Sequence, residues 1–401
     1  MQTFIHQLLA DTEDGREADR ILRTCVHCGF CNATCPTYQL LGDERDGPRG
    51  RIYLIKEMLE HNEASRETQL HLDRCLTCRA CETTCPSGVE YNRLLEIGRS
   101  MVERHANRPV SERIQRKALL ETVPNPERMR PLLKLGRMAS AFLPAEVRRT
   151  LPRAAGRKEA WPESPHARRV LLLEGCVQSV THPQINAAAA RLLDRLGVRA
   201  LPAAGCCGAL AHHLSAEDQT LETARRNIDA WWPAVEAGAE AVLLTASGCA
   251  PTVQEYGRLL KNDRRYADKA AHLSGLAVDI SEFIENEDPG ALRPEELPAT
   301  PIAFHAPCSL QHGLKRAGRV EQLLTSLGYE LTPVADAHIC CGSAGSYSVL
   351  QRGLSNRLLS DKVRNLEAGE PSLIATANIG CLAHLESGTD IPVRHWVQLL
   401  A

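Results

Sequence analysis

Two stretches decide the reading of this chain: CVHCGFCNATCP at residues 25–36 and CLTCRACETTCP at residues 75–86. Each is a Cys-x2-Cys-x2-Cys-x3-Cys-Pro run. Two intervening residues let successive thiolates turn inward on a tight loop and grip three corners of one cubane. The fourth Cys cannot curl back, so it points to the neighbouring cluster. The spacing therefore predicts one [4Fe–4S] cluster held by Cys25, Cys28, Cys31 and Cys85, and a second held by Cys75, Cys78, Cys81 and Cys35. Zinc prefers two short knuckles and four ligands in total, and disulfide frameworks belong to short secreted chains, so both fit the pattern poorly.

All sixteen cysteines fall in patterned groups. The remaining eight form a second repeat: Cys176, Cys206-Cys207-Gly208, Cys249, and again Cys308, Cys340-Cys341-Gly342, Cys381. The offsets between matching cysteines are 132, 134 and 132 residues. In each copy a strand (169–173, 302–304) runs into the first Cys. A helix follows (185–196, 320–327), closed by a glycine. A short strand then ends at Cys-Cys-Gly, and a third (241–245, 373–376) ends at Gly-Cys. Alternating strands and helices predict a parallel α/β sheet in each copy. The cysteines then gather just past the strand ends, where open α/β sheets collect ligands.

Four thiols recurring twice at matching positions argue for one or two further iron–sulfur or soft-metal sites, with a redox-active thiol pair as the second choice. Buried unligated cysteine explains the recurrence less well. Among nearby histidines (His182, His212, His213, His305, His312, His338, His384), His384 stands out, three residues after Cys381.

The expected architecture is an α+β multidomain chain. A helical two-cluster ferredoxin-like domain occupies residues 1–101 and a basic helical linker 102–169. A duplicated α/β cysteine-rich domain follows at 170–290 and 300–401. Within the first part, residues 51–61 and 67–72 read as helices. Arg49 and Arg51 read as a solvated helix start, with partner docking as the other use. The linker carries 16 Lys and Arg against 7 Glu and no Asp. Its residues 131–143 place Leu132, Leu135, Met138, Ala139 and Phe142 on one helical face, away from Arg130, Lys134 and Arg137. Packing on this protein or a sister subunit is the expected use of that stripe, and an anionic membrane surface the alternative.

At 401 residues and net charge −2, the chain supports two or three cores and has no global field for nucleic acid. No secretory signal and no apolar run near the roughly 18 residues of a span are seen. Thiolates kept reduced imply the cytoplasm, with only peripheral membrane contact. No Gly-x-Gly-x-x-Gly and no P-loop are present, so no flavin, dinucleotide or ATP is expected on this chain. No catalytic residue is read either: the chain needs a partner that oxidises the substrate.

The stretches CVHCGFCNATCPTYQLLGDERDGPRGRIYLIKEMLE (25–60) and HLDRCLTCRACETTCPSGVEY (71–91) resemble the iron–sulfur subunits of bacterial glycolate oxidase (glycolate dehydrogenase), a likeness that runs essentially the full length. The duplicated Cys-Cys-Gly part is similar to a wider group, including subunits of anaerobic glycerol-3-phosphate dehydrogenase, lactate-utilisation proteins and heterodisulfide reductase. The resemblance implies a hetero-oligomeric complex in which FAD-binding glycolate oxidase subunits oxidise glycolate to glyoxylate, and D-lactate as a further substrate. This chain would pass the electrons to quinone at the cytoplasmic side of the inner membrane. A thiol/disulfide oxidoreductase of the heterodisulfide-reductase type is the alternative, as is the same relay role in a glycerol-3-phosphate or lactate dehydrogenase. Where the heterodisulfide-reductase type carries a further Cys in each motif, this chain has Thr252 and His384, which puts disulfide-reducing catalysis in doubt.

Overall fold

The computed structural model describes residues 1–140, 159–294, 297 and 299–401. The N-terminal part is helical. Thr12 opens the helix Glu13–Thr24 by accepting from Gly15 N, and Pro48 occupies the first turn of Pro48–His61, where its missing N–H costs nothing. With Tyr91–His105 these helices bury Ile21, Leu22, Ile52, Ile55, Leu59, Leu94 and Met101. Each such side chain contributes roughly 1.5–3 kcal/mol of apolar burial. The cysteine loops hang from this core, with Cys25 and Cys81 packed into it.

The cysteine-rich half holds two four-stranded parallel sheets. In the first, β1 (Arg168–Leu173), β2 (Val198–Ala203), β3 (Val242–Leu244) and β4 (Ala277–Asp279) lie in the order β2-β1-β3-β4. In the second, β5 (Ile302–His305), β6 (Leu331–Thr332), β7 (Leu373–Thr376) and β8 (Val393–His395) repeat it as β6-β5-β7-β8. The run Val170–Leu173 is buried on both faces, as a central parallel strand must be. Helices Gln184–Arg195, Glu217–Glu236, Arg319–Ser326 and Arg352–Glu367 cover the sheets.

The two sheets meet along the loops that follow β3 and β7. Ser247 N donates to Ala377 O at 3.0 Å, Gly248 N donates to Asn378 Oδ1 at 3.2 Å, and the Ser247 and Ser309 hydroxyls stand 2.8 Å apart. The strand-end loops of the two copies therefore share one seam.

Three expectations need correction. The strand before the second Cys-Cys-Gly stops at Thr332, leaving residues 333–339 as a loop. Arg51 is not solvated: it is 1% exposed inside the helix Pro48–His61. The linker helix runs Pro126–Met138 with Pro131 inside it, capped by Asn125, so it starts five residues earlier than the stripe. Its Leu132, Leu135 and Met138 are 53%, 62% and 72% exposed, so the described residues do not cover that apolar face. Phe142 lies outside the described residues.

Candidate iron–sulfur sites

The two cysteine loops are built alike. Positive φ occurs at His27 (57°) and Gly29 (82°) in the first, and at Thr77 (52°) and Arg79 (61°) in the second. These left-handed residues flank the middle cysteine and turn the loop around it. Three of them are not glycine, at a cost of about 1–2 kcal/mol each. Strain retained at matching positions on both loops is what a site that needs its sulfurs aimed inward requires.

The sulfurs converge in two sets. Cys25, Cys28, Cys31 and, from the other run, Cys85 line one cavity, walled by Val26, Ile52 and Val89. Burial and the neighbouring Cys25, Cys85 and Cys28 push the Cys31 thiol up to about 11. Cys75, Cys78 and Cys81 line a second cavity together with Cys35 of the first run. Cys81 borders both cavities.

Donors point at the second set. Arg51 Nη1 lies 3.9 Å from Cys35 Sγ and Tyr91 OH donates to Cys75 Sγ at 3.7 Å, while the Thr37 hydroxyl, 3.4 Å from Cys35 Sγ, donates to Asp46 O at 2.7 Å. Arg51 also donates to His71 O (2.8 Å) and Thr37 Oγ1 (3.0 Å) and faces Asp46 at 3.5 Å. Asp46 in turn meets His71 Nδ1 at 2.9 Å and Arg74 at 2.8 Å. Burial works against the Arg51 charge, yet Cys75, Tyr91, Cys35 and Asp46 together raise its pKa above the usual value. No described cysteine is in a disulfide. Free thiols that converge in fours, met by cationic and hydroxyl donors, fit iron–sulfur ligation.

The cysteine-rich repeats each bring four thiols together at strand ends. Cys176 follows β1, Cys206 and Cys207 follow β2, and Cys249 follows β3. Hydrogen bonds from the Cys176 and Cys207 thiols hold Cys206 well below the ordinary thiol range, while Cys176 and Cys207 are raised. Tyr256 OH donates to Cys207 O at 2.9 Å and Asn227 Nδ2 to Cys206 O at 2.7 Å, which fixes the turn. In the second copy Cys308 and Cys340 sulfurs are 3.8 Å apart, and Asn378 Nδ2 donates to Cys381 Sγ at 3.4 Å. The two turns match: Gly208 N reaches Cys206 Sγ at 3.5 Å and Gly342 N reaches Cys340 Sγ at 3.4 Å. Both glycines have positive φ, +86° and +90°. At Gly342 a Cβ would also stand 2.7 Å from Ser355 O, whereas at Gly208 the nearest atom is 3.6 Å away. Close backbone approach thus explains only the second glycine.

The second repeat adjoins the ferredoxin-type part. Leu76, Cys340, Tyr347 and Leu358 form one buried apolar cluster, with Cys78 and Cys308 packed against it. Thr83 Oγ1 and His312 Nδ1, 2.9 Å apart, join the same two parts. The first repeat docks through ions instead: Glu96 pairs with Arg258 and His212, both at 3.0 Å, and Arg79 with Glu255 at 2.8 Å.

A family model described as "4Fe-4S dicluster domain" matches residues 21–89, and one described as "Cysteine-rich domain" matches 170–254 and again 302–386. The glycolate oxidase iron-sulfur subunit of Escherichia coli (strain K12) is 54% identical over all of this chain and 98% of its own length. The chain belongs to the family of glycolate oxidase iron–sulfur subunits. Within that family, the probable glycolate oxidase iron-sulfur subunit of Bacillus subtilis (strain 168) is 32% identical over 92% of this chain and 89% of its own length. Lactate utilization protein A of Shouchella clausii (strain KSM-K16) is 26% identical over 58% of this chain and 98% of its own length.

For this family member, sequence reasoning named Arg51 and His305 without their roles, and the structure gives His384 a hydroxyl partner. Arg51 gave no signal beyond lying at a helix start. His384 places Nε2 3.2 Å from Ser355 Oγ, whose hydroxyl donates to Gly342 O at 2.8 Å. The imidazole beside the sulfurs is His305: one of its ring nitrogens and the sulfurs of Cys341 and Cys381 lie within 4.8 Å of one another. The signal was its place at the end of a strand, three residues before Cys308.

Proposed function

We propose that the chain is the electron-transfer subunit of a multi-subunit glycolate dehydrogenase, relaying electrons from FAD-binding partner subunits to quinone. Glycolate is the substrate named by the E. coli and B. subtilis relatives, and D-lactate a second one, in line with relatives named for lactate utilization. The observation that carries the relay role is the succession of sulfur sets. Cys28 is exposed at one end, Cys81 borders both ferredoxin-type cavities, and Cys78 packs with Cys308 and Cys340.

In this reading Cys25, Cys28, Cys31 and Cys85 hold one [4Fe–4S] cluster, and Cys35, Cys75, Cys78 and Cys81 the other. The two sets of the cysteine-rich repeats hold further iron. Bound there, such clusters supply electron transfer at potentials set by charge, hydrogen bonds to sulfur and exposure. Arg51 and Tyr91 hydrogen-bond the sulfurs of the second set and favour its reduced form. The donor subunit docks over Cys28, where Val26 and Phe30 are both exposed. No helix among the described residues is long and apolar enough to cross a membrane. The complex sits peripherally at the cytoplasmic face of the inner membrane, using the exposed, basic-flanked linker helix.

The test is reconstitution. The iron-loaded chain alone should neither bind flavin nor reduce a dye with glycolate. Adding it to its flavin subunits should establish glycolate-dependent quinone reduction. Glycolate turnover by the isolated chain, or full quinone reduction without it, would end this reading.

A further inference from the structure

The two cysteine-rich repeats share strand order and the positions of their four cysteines, but they differ three residues before the first Cys. The first copy has Leu173 there and the second has His305, each closing its strand. His305 is 2% exposed and pairs in register with Thr376 of β7. Its Nδ1 meets the Thr376 hydroxyl at 2.9 Å, which fixes the ring and leaves Nε2 as the nitrogen available to a ligand. A metal-binding histidine is typically oriented in this way through its other nitrogen. A ring nitrogen of His305 and the sulfurs of Cys341 and Cys381 form a buried group within 4.8 Å, and Cys340 carries the arrangement on to Cys308.

We propose that His305 is a nitrogen ligand of the metal centre in the second cysteine-rich repeat, so that the two copies hold chemically different centres. The inference rests on the reading that this cysteine set holds iron. The first copy offers thiolates alone, because Leu173 cannot bind. Imidazole is neutral and thiolate is not, so histidine ligation makes a centre less negative and raises its potential. The second centre is then the stronger electron acceptor of the pair. It is also the one that adjoins Cys78, so it would receive electrons from the ferredoxin-type half first.

The test uses the whole chain, loaded anaerobically with iron and sulfide, with and without 15N-histidine. Pulsed electron paramagnetic resonance should find a nitrogen coupling that changes with the isotope. It should vanish in His305→Gln and persist in His384→Gln. His305→Cys, which restores a donor and guards against simple misfolding, should keep its iron, lose the coupling and lower the midpoint potential of that centre. No coupling in the unaltered chain, or coupling that survives His305→Gln, overturns the proposal. Iron well above about eight atoms per chain, the content of two cubanes, with no coupling refutes the ligand assignment alone. Iron near about eight refutes both that assignment and the reading beneath it.

Discussion

Arg51 Nη1 stands 3.9 Å from Cys35 Sγ while its Nη2 faces Asp46 at 3.5 Å, so one buried guanidinium serves both a sulfur and a carboxylate. Arg51→Met removes the charge and leaves Asp46 with only His71 and Arg74. Breaking a buried pair costs about 3–5 kcal/mol, and the remaining partners of Asp46 place the loss at the lower end. The cluster held by Cys35 should also become harder to reduce. Chemical denaturation and a redox titration read the two effects separately, and Arg51→Lys should restore more of the potential than of the stability.

Ligand crossing is checked by serine exchange. Cys35→Ser should perturb the spectrum of the cluster otherwise held by Cys75, Cys78 and Cys81, and Cys85→Ser that of Cys25, Cys28 and Cys31. Mössbauer spectra of the two variants should therefore each lose the signal of the other run's cluster. A change confined to the mutated run would reverse the assignment.

Phe30 and Val26 flank exposed Cys28. Phe30→Ser should weaken binding of the flavin subunit about tenfold, the scale of one interface anchor worth more than 1 kcal/mol. Iron content should not change. Titration calorimetry against the flavin subunit measures the loss, and unaltered affinity would move the docking face elsewhere.

Asp279 supplies a pH signature. Its Oδ1 caps the helix Ile280–Ile284, accepting from Ser281 N (2.9 Å) and Oγ (2.6 Å), while Oδ2 has no partner. Burial pushes this carboxyl from 3.8 up to about 6. A folded-state pKa above the unfolded one means the folded chain holds the proton more tightly. Stability therefore falls as pH rises from about 4 to about 6 and stays lower above that. Asp279→Asn keeps the cap and removes the charge. It should gain about 2–3 kcal/mol at pH 8 and much less at pH 4.5, read as the difference between unfolding midpoints.

The linker helix makes a salt-dependent prediction. With Leu132, Leu135 and Met138 exposed, replacing Arg130, Lys134 and Arg137 by Gln should weaken flotation with anionic liposomes. Each basic residue at such a surface contributes ~1 kcal/mol, lost within a Debye length as salt rises. Flotation unchanged by the substitutions, together with intact subunit assembly, would leave the segment as an ordinary solvated linker.

Local signals carried the sequence reading, and its gaps are tertiary. The β5 and β7 strands and the Cys-Cys-Gly turns announce themselves by apolar runs and spacing. The edge strands Ala277–Asp279 and Val393–His395 are three residues each, too short to show a period. Arg51 looked solvated because a charge in the first turn of a helix normally is, and the partners Asp46, Cys35, His71 and Thr37 make its burial tolerable. His384 drew attention through proximity along the chain. His305 is brought to the sulfurs of Cys341 and Cys381 across the sheet, a relationship that linear spacing does not encode.

The seam of Leu76, Tyr347 and Leu358 around Cys78, Cys308 and Cys340 has a bearing on speed. In the relay proposed above, apolar side chains there would leave few dipoles free to turn when the charge beside a sulfur changes, so little solvent would rearrange with each electron. Such a crossing would also be easy to spoil. A carboxylate in place of Leu76 would set a charge at the junction and slow traffic between the halves, while every ligand stayed in place.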